Sequence, residues 1–468
     1  MQIEQIYTSC LSQGAYYIES KGEAAIIDPL REIQPYLDRA KKAGAQFKYI
    51  FETHFHADFV SGHLSLSNHT GAPIVFGPNA ETDFPSLIAK DLQEFSLGDL
   101  TIRVLHTPGH TLESTCYLLI DSSGNDVALF TGDTLFLGDV GRPDLAQNQG
   151  EKIEDLAGLL YTSLREKIMP LKDDLLIYPA HGAGSACGKN MMKETVDRLG
   201  NQKKYNYALR VDMSKGEFIN EVTRGLLPPP SYFPMNVYLN KSGYEDFNDV
   251  LARSYSPLDC HTFERISNDT DALILDVRHQ EDFIKGHIPQ SIFIGLDGIF
   301  APWVGALIAD LKQPILLICD KDREREAITR LSRVGFDHVL GYLEGGFDLW
   351  KSQGREYDTI NRISAENLAN KVLLNELSIF DVRKASEYAS QHVEGAIHTP
   401  LDYLHLYFKS FPEKETFYLY CAAGYRSAIA SSILKKRGIH NFIDVQGGFE
   451  SIKKSKIAKT TYVCPQKL

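Results

Sequence analysis

Apolar residues along this 468-residue chain gather in short runs that end in polar clusters. In the first half, Ile50 to Thr53, Ile102 to Thr107, Val127 to Thr131 and Leu175 to Pro179 read as short strands closed by polar turns. Between them, Ile33–Ala43 and Ile153–Ile168 read as helices. Pro228, Pro229, Pro230 and Pro234 predict a break in regular structure, and Tyr244–Ser256 a connecting stretch.

The second half repeats itself. Leu273-Ile-Leu-Asp276-Val-Arg278, followed by Gly286-His287-Ile-Pro, returns as Ser378-Ile-Phe-Asp381-Val-Arg383, followed by Gln391-His392-Val-Glu-Gly. Each copy goes on to an apolar strand (Pro314 to Cys319; Phe417 to Tyr420), a loop and a helix beginning near Ala327 or Ala428. Each then has Gly-Gly-Phe, at Gly345–Phe347 and Gly447–Phe449. Strands alternating with helices predict a parallel sheet covered on both faces, built twice. No copy of this repeat occurs before it. The expected organisation is three α/β domains, at 1–245, 258–357 and 358–468, which agrees with about 150 residues per domain.

Composition narrows the function classes. The chain is 43% hydrophobic and 24% charged, with 49 basic and 61 acidic residues and a net charge of −12. That balance argues against nucleic acid or an anionic membrane as partner. Met1 to Ser20 has no basic segment leading into an apolar run, and nowhere do 18 apolar residues run uninterrupted, so no secretory signal and no spanning helix are expected. The seven cysteines are scattered and odd in number, which fits cytoplasmic thiols better than a disulfide framework.

The candidate chemistry of the first domain lies in Glu52-Thr53-His54-Phe55-His56-Ala57-Asp58-Phe59. If this segment is extended, His54, His56 and Asp58 share one side. Thr107-Pro-Gly-His110, Thr131-Gly-Asp133 and Pro179-Ala-His181-Gly follow later strands. Imidazoles and carboxylates at successive strand ends can converge on one metal ion. In this order of clusters the first half resembles the metallo-β-lactamase superfamily, which implies an αβ/βα sandwich for about residues 1–240. The superfamily's second metal position takes a histidine directly after the aspartate of its first motif, and here Phe59 stands there. Phenylalanine cannot ligate, so a dinuclear hydrolytic site is short of a ligand.

Within the superfamily the resemblance is to persulfide dioxygenases. It implies one Fe(II) per domain held by His56, His110 and Asp133, with His54, Asp58 and His181 in support and zinc as the lesser alternative. Two histidines and a carboxylate with open positions suit an iron that activates O2. Gly141-Arg142-Pro143-Asp144 resembles the loop at the substrate mouth of these enzymes, where the Arg142 guanidinium would meet a carboxylate of a thiol such as glutathione. Cys187, close after His181, is a candidate for carrying or receiving a sulfane sulfur, or a small buried packing residue.

The last domain carries Cys421-Ala-Ala-Gly424-Tyr425-Arg426-Ser427 between a strand and a helix. Backbone N–H groups and the helix N-terminus stabilise a thiolate there. The loop resembles that of rhodanese sulfurtransferases, a doubly wound α/β fold, which implies Cys421 as nucleophile with Arg426, and Gly424 and Tyr425 at the substrate. Aligning the repeats through Ala327 and Ala428 puts Asp320 opposite Cys421, so the first copy is expected to be inactive; Cys319 in a shifted loop is the competing nucleophile.

The expected activity is oxidation of a low-molecular-weight thiol persulfide by O2 to sulfite, coupled to rhodanese transfer that makes or uses thiosulfate. A homo-oligomer fits these expectations. A thioester hydrolase of the glyoxalase II kind and a sulfane-sulfur carrier or sensor are the alternatives.

Overall fold

The computed structural model describes residues 1–145, 152–226, 228–373 and 377–464. They form two compact units, one of Met1–Val250 with Leu331–Gly335 and one of Leu251–Arg330 with Phe336–Leu468. Among the described residues no helix is long and apolar enough to cross a membrane.

The first unit contains two six-stranded sheets. One runs in order through β1 (Gln2–Thr8), β2 (Gln13–Ser20), β3 (Glu23–Ile27), β4 (Gln46–Phe51), β5 (Ile74–Phe76) and β6 (Leu87–Ile88). Its first three strands are antiparallel hairpins, and β3 to β6 are parallel. The other comprises β7 (Glu94–Leu97), β8 (Leu100–His106), β9 (Thr115–Ile120), β10 (Asp126–Gly132), β11 (Leu176–Pro179) and β12 (Asp197–Arg198).

Side-chain alternation explains the layering. Tyr16 and Ile18 of β2 and Phe51 of β4 meet Val104, Tyr117, Leu119 and Phe130 of the second sheet between the layers. Their neighbours Ala15, Tyr17 and Ile50 face outward and pack beneath Tyr36 and Ala40 of the helix Gln34–Ala43. Leu118, Leu129 and Ile177 face Leu160, Leu164 and Phe218 on the far side. With both faces covered, strands such as β9 are buried at every position, which is why they read as apolar runs. The result is the αβ/βα sandwich.

Two local expectations change. Pro234 does not break structure; it lies in the first turn of the helix Phe233–Ser242, where its fixed φ and missing N–H fit. The stretch read as a connection contains the helix Phe247–Ser254.

The second unit holds two five-stranded parallel sheets of the same permuted order. The first has β13 (Pro257–Leu258), β14 (Leu273–Asp276), β15 (Ile292–Phe293), β16 (Ile315–Ile318) and β17 (Val339–Leu343). The second has β18 (Arg362–Ile363), β19 (Ile379–Asp381), β20 (Ile397–His398), β21 (Phe417–Tyr420) and β22 (Phe442–Val445). The repeated Asp-Val-Arg is one device used twice. Arg278 pairs with Asp276, bonds the Gly286 carbonyl and lies over Phe347; Arg383 does the same with Asp381, the Gln391 carbonyl and Phe449. Each buried guanidinium is thereby paired and hydrogen-bonded, the condition under which a charge is tolerated inside.

The register corrects one expectation. Asp276 lies opposite Ile318, and Asp381 opposite Tyr420, so the residue equivalent to Cys421 is Cys319, not Asp320. The close approach of the glycine turns agrees: a Cβ on Gly346 would meet the Cys319 carbonyl, and one on Gly448 the Cys421 carbonyl. Since Ala327 and Ala428 remain comparable along their helices, the first copy has one more residue in its loop. That extra residue is what displaced the alignment made through the helices.

Candidate metal centre and sulfur-transfer loop

Four loops meet at the strand ends of the sandwich: those after β4, β8, β10 and β11, carrying His54, His110, Asp133 and His181. Ligand atoms of His54, His110 and Asp133 all lie within 4.8 Å of one another, and all three residues are buried. Nε2 of His110 is 3.4 Å from Asp133 Oδ2, and Nε2 of His54 is 3.8 Å from the same oxygen.

The other nitrogens are tied back. His110 Nδ1 lies 2.8 Å from the Arg142 carbonyl, to which it donates. His54 Nδ1 lies 3.0 Å from Thr53 Oγ1, and that hydroxyl donates to Asp28 Oδ2 at 2.8 Å. Each Nε2 is therefore left with its lone pair directed at the carboxylate. Asp133 Oδ1 takes His181 Nδ1 at 2.7 Å, whereas Oδ2 is buried and has no hydrogen-bond partner among the described residues. Two lone pairs and an unpartnered carboxylate oxygen repel one another unless a cation lies among them. The donor set fits a divalent metal.

His56 belongs elsewhere, which corrects the expected ligand set. The segment after β4 bends instead of running extended, so alternate residues do not share a side. His56 Nε2 is 3.1 Å from Asp28 Oδ1 and 3.6 Å from Glu52 Oε2. The third ligand position falls to His54, and His56 becomes part of the support. Phe59 is fully buried, its ring 4.3 Å from that of His56 and 6.3 Å from that of His181.

The loop itself is clamped by residues that the sequence did not single out. Asn240 Nδ2 donates to the carbonyls of His56 and Phe59, both at 2.8 Å, and its Oδ1 accepts from Ser61 N. Glu113 accepts from Phe55 N, and Asp28 from Thr53 N. The one available signal was Asp28 as a charged residue ending the apolar strand β3.

Charge is distributed to suit this. Burial, then the neighbouring His56, keeps His54 neutral by lowering its pKa well below the ordinary value. Burial alone would raise Asp133, but His181, His54 and His110 hold it below the usual carboxylate range. Burial alone would lower His181; the Asp133 and Asp58 carboxylates on its two sides, at 2.7 and 2.9 Å, raise it instead.

Arg142 and Cys187 are close by but placed otherwise than expected. The Arg142 guanidinium is engaged by Asp144 through two bonds of 2.6 Å, and what reaches the site is its main-chain carbonyl. Gly141 permits this: a Cβ there would fall 2.1 Å from the Asp133 carbonyl oxygen and 2.8 Å from His110 Nδ1. Cys187 is buried, with a ligand atom within 4.8 Å of those of Asp133 and His181. Burial, then the Asp58 and Asp133 charges, push its thiol well up, which keeps it protonated and a poor nucleophile.

In the second unit Cys421 follows β21 directly, and its sulfur accepts the Gly424 N–H at 3.1 Å. Gly424 takes φ +111°, a conformation open to glycine, and leads into the helix Tyr425–Lys436. Cys421 Sγ and Ser427 Oγ are 3.5 Å apart. Beside Ala422 lies a cavity of about 190 Å³, whose walls include Arg383, Glu387, Gln391, Phe449 and Lys453.

Arg426 forms a bidentate pair with Glu387 at 2.5 and 2.9 Å, so it holds the rim of this cavity. The Tyr425 hydroxyl, expected at the substrate, instead donates to the Gly295 carbonyl of the first copy at 2.8 Å. In that copy Cys319 is buried, and burial followed by Glu324, Asp276 and Asp320 pushes its thiol well up. The first copy thus has a thiol in place whose surroundings, Arg323 excepted, favour its protonated form.

The family description "Metallo-beta-lactamase superfamily" matches residues 9–181, and "Rhodanese-like domain" matches residues 259–353 and 364–455. A hydroxyacylglutathione hydrolase of Tolumonas auensis is 36% identical over 170 residues, which are 36% of this chain and 60% of that protein. One from Rhizobium johnstonii is 32% identical over 209 residues, 44% of this chain and 75% of the relative. Among solved structures, a metallo-beta-lactamase from Staphylococcus aureus has a TM-score of 0.65 at 30% identity, covering 73% of this chain and 98% of that one.

Proposed function

From a chain that belongs to the metallo-β-lactamase superfamily and carries rhodanese-like domains, we infer an Fe(II)-dependent persulfide dioxygenase coupled to sulfur transfer. The observation that supports this above others is Phe59, buried against His56 and His181 where a second metal would need an imidazole. Of the four buried groups that could hold a metal ion, we take His54, His110 and Asp133 as the iron set, since Asp133 Oδ2 there has no hydrogen-bond partner among the described residues. Iron(II) held by such a set supplies activation of O2.

The chain's own residues supply the rest. Thr53 and the Arg142 carbonyl fix the two imidazole orientations, and His181 fixes the carboxylate. Phe59, fully buried beside His56 and His181, offers no donor to a second metal ion. The reaction is RSSH + O2 + H2O giving RSH, sulfite and two protons. At the second site a Cys421 persulfide gives its outer sulfur to sulfite, leaving the Cys421 thiolate and thiosulfate. Gly424 N–H steadies the sulfur, and the small cavity suits an inorganic oxyanion better than a bulky thiol. Run in reverse, the same step loads Cys421 from thiosulfate.

The test is oxygen uptake by the iron-loaded full chain on adding a thiol persulfide, with sulfite and thiosulfate assayed. Uptake that ceases on removal of iron and does not return with zinc is expected. The names of the curated relatives favour a second reading, thioester hydrolysis with two zinc ions. Two metals per chain, turnover of S-lactoylglutathione and no oxygen uptake would establish that reading and exclude the first.

A further inference from the structure

The second unit holds a second and larger cleft, of about 390 Å³, away from Cys421. It lies between the two repeats and falls within the size range of small-molecule sites, about 300–1,000 Å³. One wall comes from the helix Phe300–Leu307 and the residues after it, where Ile299 to Ala309 carries no charge. The opposite wall comes from Leu401, Leu404 and Phe408 of the second repeat. The trough between them is therefore aliphatic and aromatic.

Its charged lining is basic. Among the described residues, Lys436, Arg437 and His405 line the cleft, Gln313 is the only other polar one, and no Asp or Glu does. Gln313 is committed to the Asp271 and Pro314 carbonyls. Lys436 reaches the Gln290 carbonyl at 3.3 Å, and the Arg437 guanidinium lies 4.1 Å from the Phe408 ring centroid. Neither cation has a carboxylate among these contacts, in a chain with 61 acidic residues against 49 basic ones. An apolar trough that ends in cations unmatched by acids is complementary to a molecule with an apolar tail and an anionic head.

We propose that this cleft binds an aliphatic chain bearing a carboxylate, with the tail between Leu307 and Leu404 and the head at Lys436 and Arg437. The cleft shares no lining residue with the cavity beside Cys421.

Calorimetric titration of the full chain with decanoate, kept below its micellar concentration, tests this. Saturable binding at one site per chain is expected, with decylammonium, of equal length and opposite charge, failing to bind. The surface double variant Lys436→Glu/Arg437→Glu should weaken decanoate at least about tenfold, and Leu404→Trp should abolish it, while thiosulfate sulfurtransferase activity stays as in the parent. No binding of decanoate, equal binding of the ammonium, or affinity untouched by the charge-reversal variant would overturn the proposal. So would binding to anionic-lipid vesicles without binding of free decanoate, which would assign the cations to a membrane surface.

Discussion

The ring of Phe59 lies 4.3 Å from the ring of His56, which in turn lies 4.2 Å from that of His54, and all three residues are buried. In the function proposed above, the pairing of Phe59 with His56 is what distinguishes this chain from a dinuclear hydrolase. Asp58, His181 and Asp133 are all still present and within reach of one another.

Phe59→His should therefore rebuild the missing donor. Metal analysis is expected to rise from about one toward two ions per chain, and thioester hydrolysis to appear where the parent has none. Two ions already bound by the parent would show that Phe59 does not control the count.

His54 and His56 should part company on substitution. His54→Ala is expected to lose bound iron and with it oxygen uptake, by about a hundredfold or more. His56→Ala is expected to keep the metal and lose about 1–3 kcal/mol of stability, since it leaves Asp28 and Glu52 short of a buried neighbour. Metal content and urea midpoints of the two variants decide it. The reverse pattern would restore His56 as ligand.

Cys421→Ser should leave persulfide-dependent oxygen uptake intact and shift the product from thiosulfate to sulfite. A variant that still forms thiosulfate at the parent rate and yield would sever the two chemistries.

Tyr425→Phe tests the role of the first repeat. The hydroxyl bond to Gly295 braces the start of the helix behind Cys421, and the tyrosine ring packs on Gly298, where an added Cβ would fall 2.2 Å from it. Loss of about 1 kcal/mol of stability and a fall of several-fold in sulfurtransfer are expected, with KM for thiosulfate unchanged. A rise in KM alone would return Tyr425 to the substrate.

Asp444 carries a pH dependence of stability. It is fully buried, bonded to Arg362, which also holds Glu281, and lies beside Ser427; burial pushes its carboxyl up to about 6 despite Ser427 and Arg362. A group raised in the folded state contributes stability that is full below about pH 4 and lost as pH rises through 6. The contribution is on the order of 3 kcal/mol. Urea unfolding between pH 4 and 7 should show this slope, and Asp444→Asn should flatten it.

Much of this was legible in the sequence because it is local. Runs of apolar residues ended by polar clusters located β4, β8, β10 and β11 to within a few residues, since the buried C-terminal parts of these strands give way to polar loops. The recurring Asp-Val-Arg and Gly-Gly-Phe located the two copies because each serves one buried ion pair and its stacking partner.

What depended on direction in space was not legible. Whether His54 or His56 turns to Asp133 is set by bends that the Asp28, Glu113 and Asn240 side chains impose from distant parts of the chain. Which residue matches Cys421 is set by strand register, and one added loop residue hides it from a helix-based alignment. Arg142 and Tyr425 were read as facing substrate, but partners at Asp144 and Gly295 engage them; Arg426, read as the cation beside Cys421, is also paired with Glu387. Sequence determined which chemical groups are present and at which strand ends; the tertiary structure alone decided where each points, because a side chain's orientation belongs to the partner that holds it.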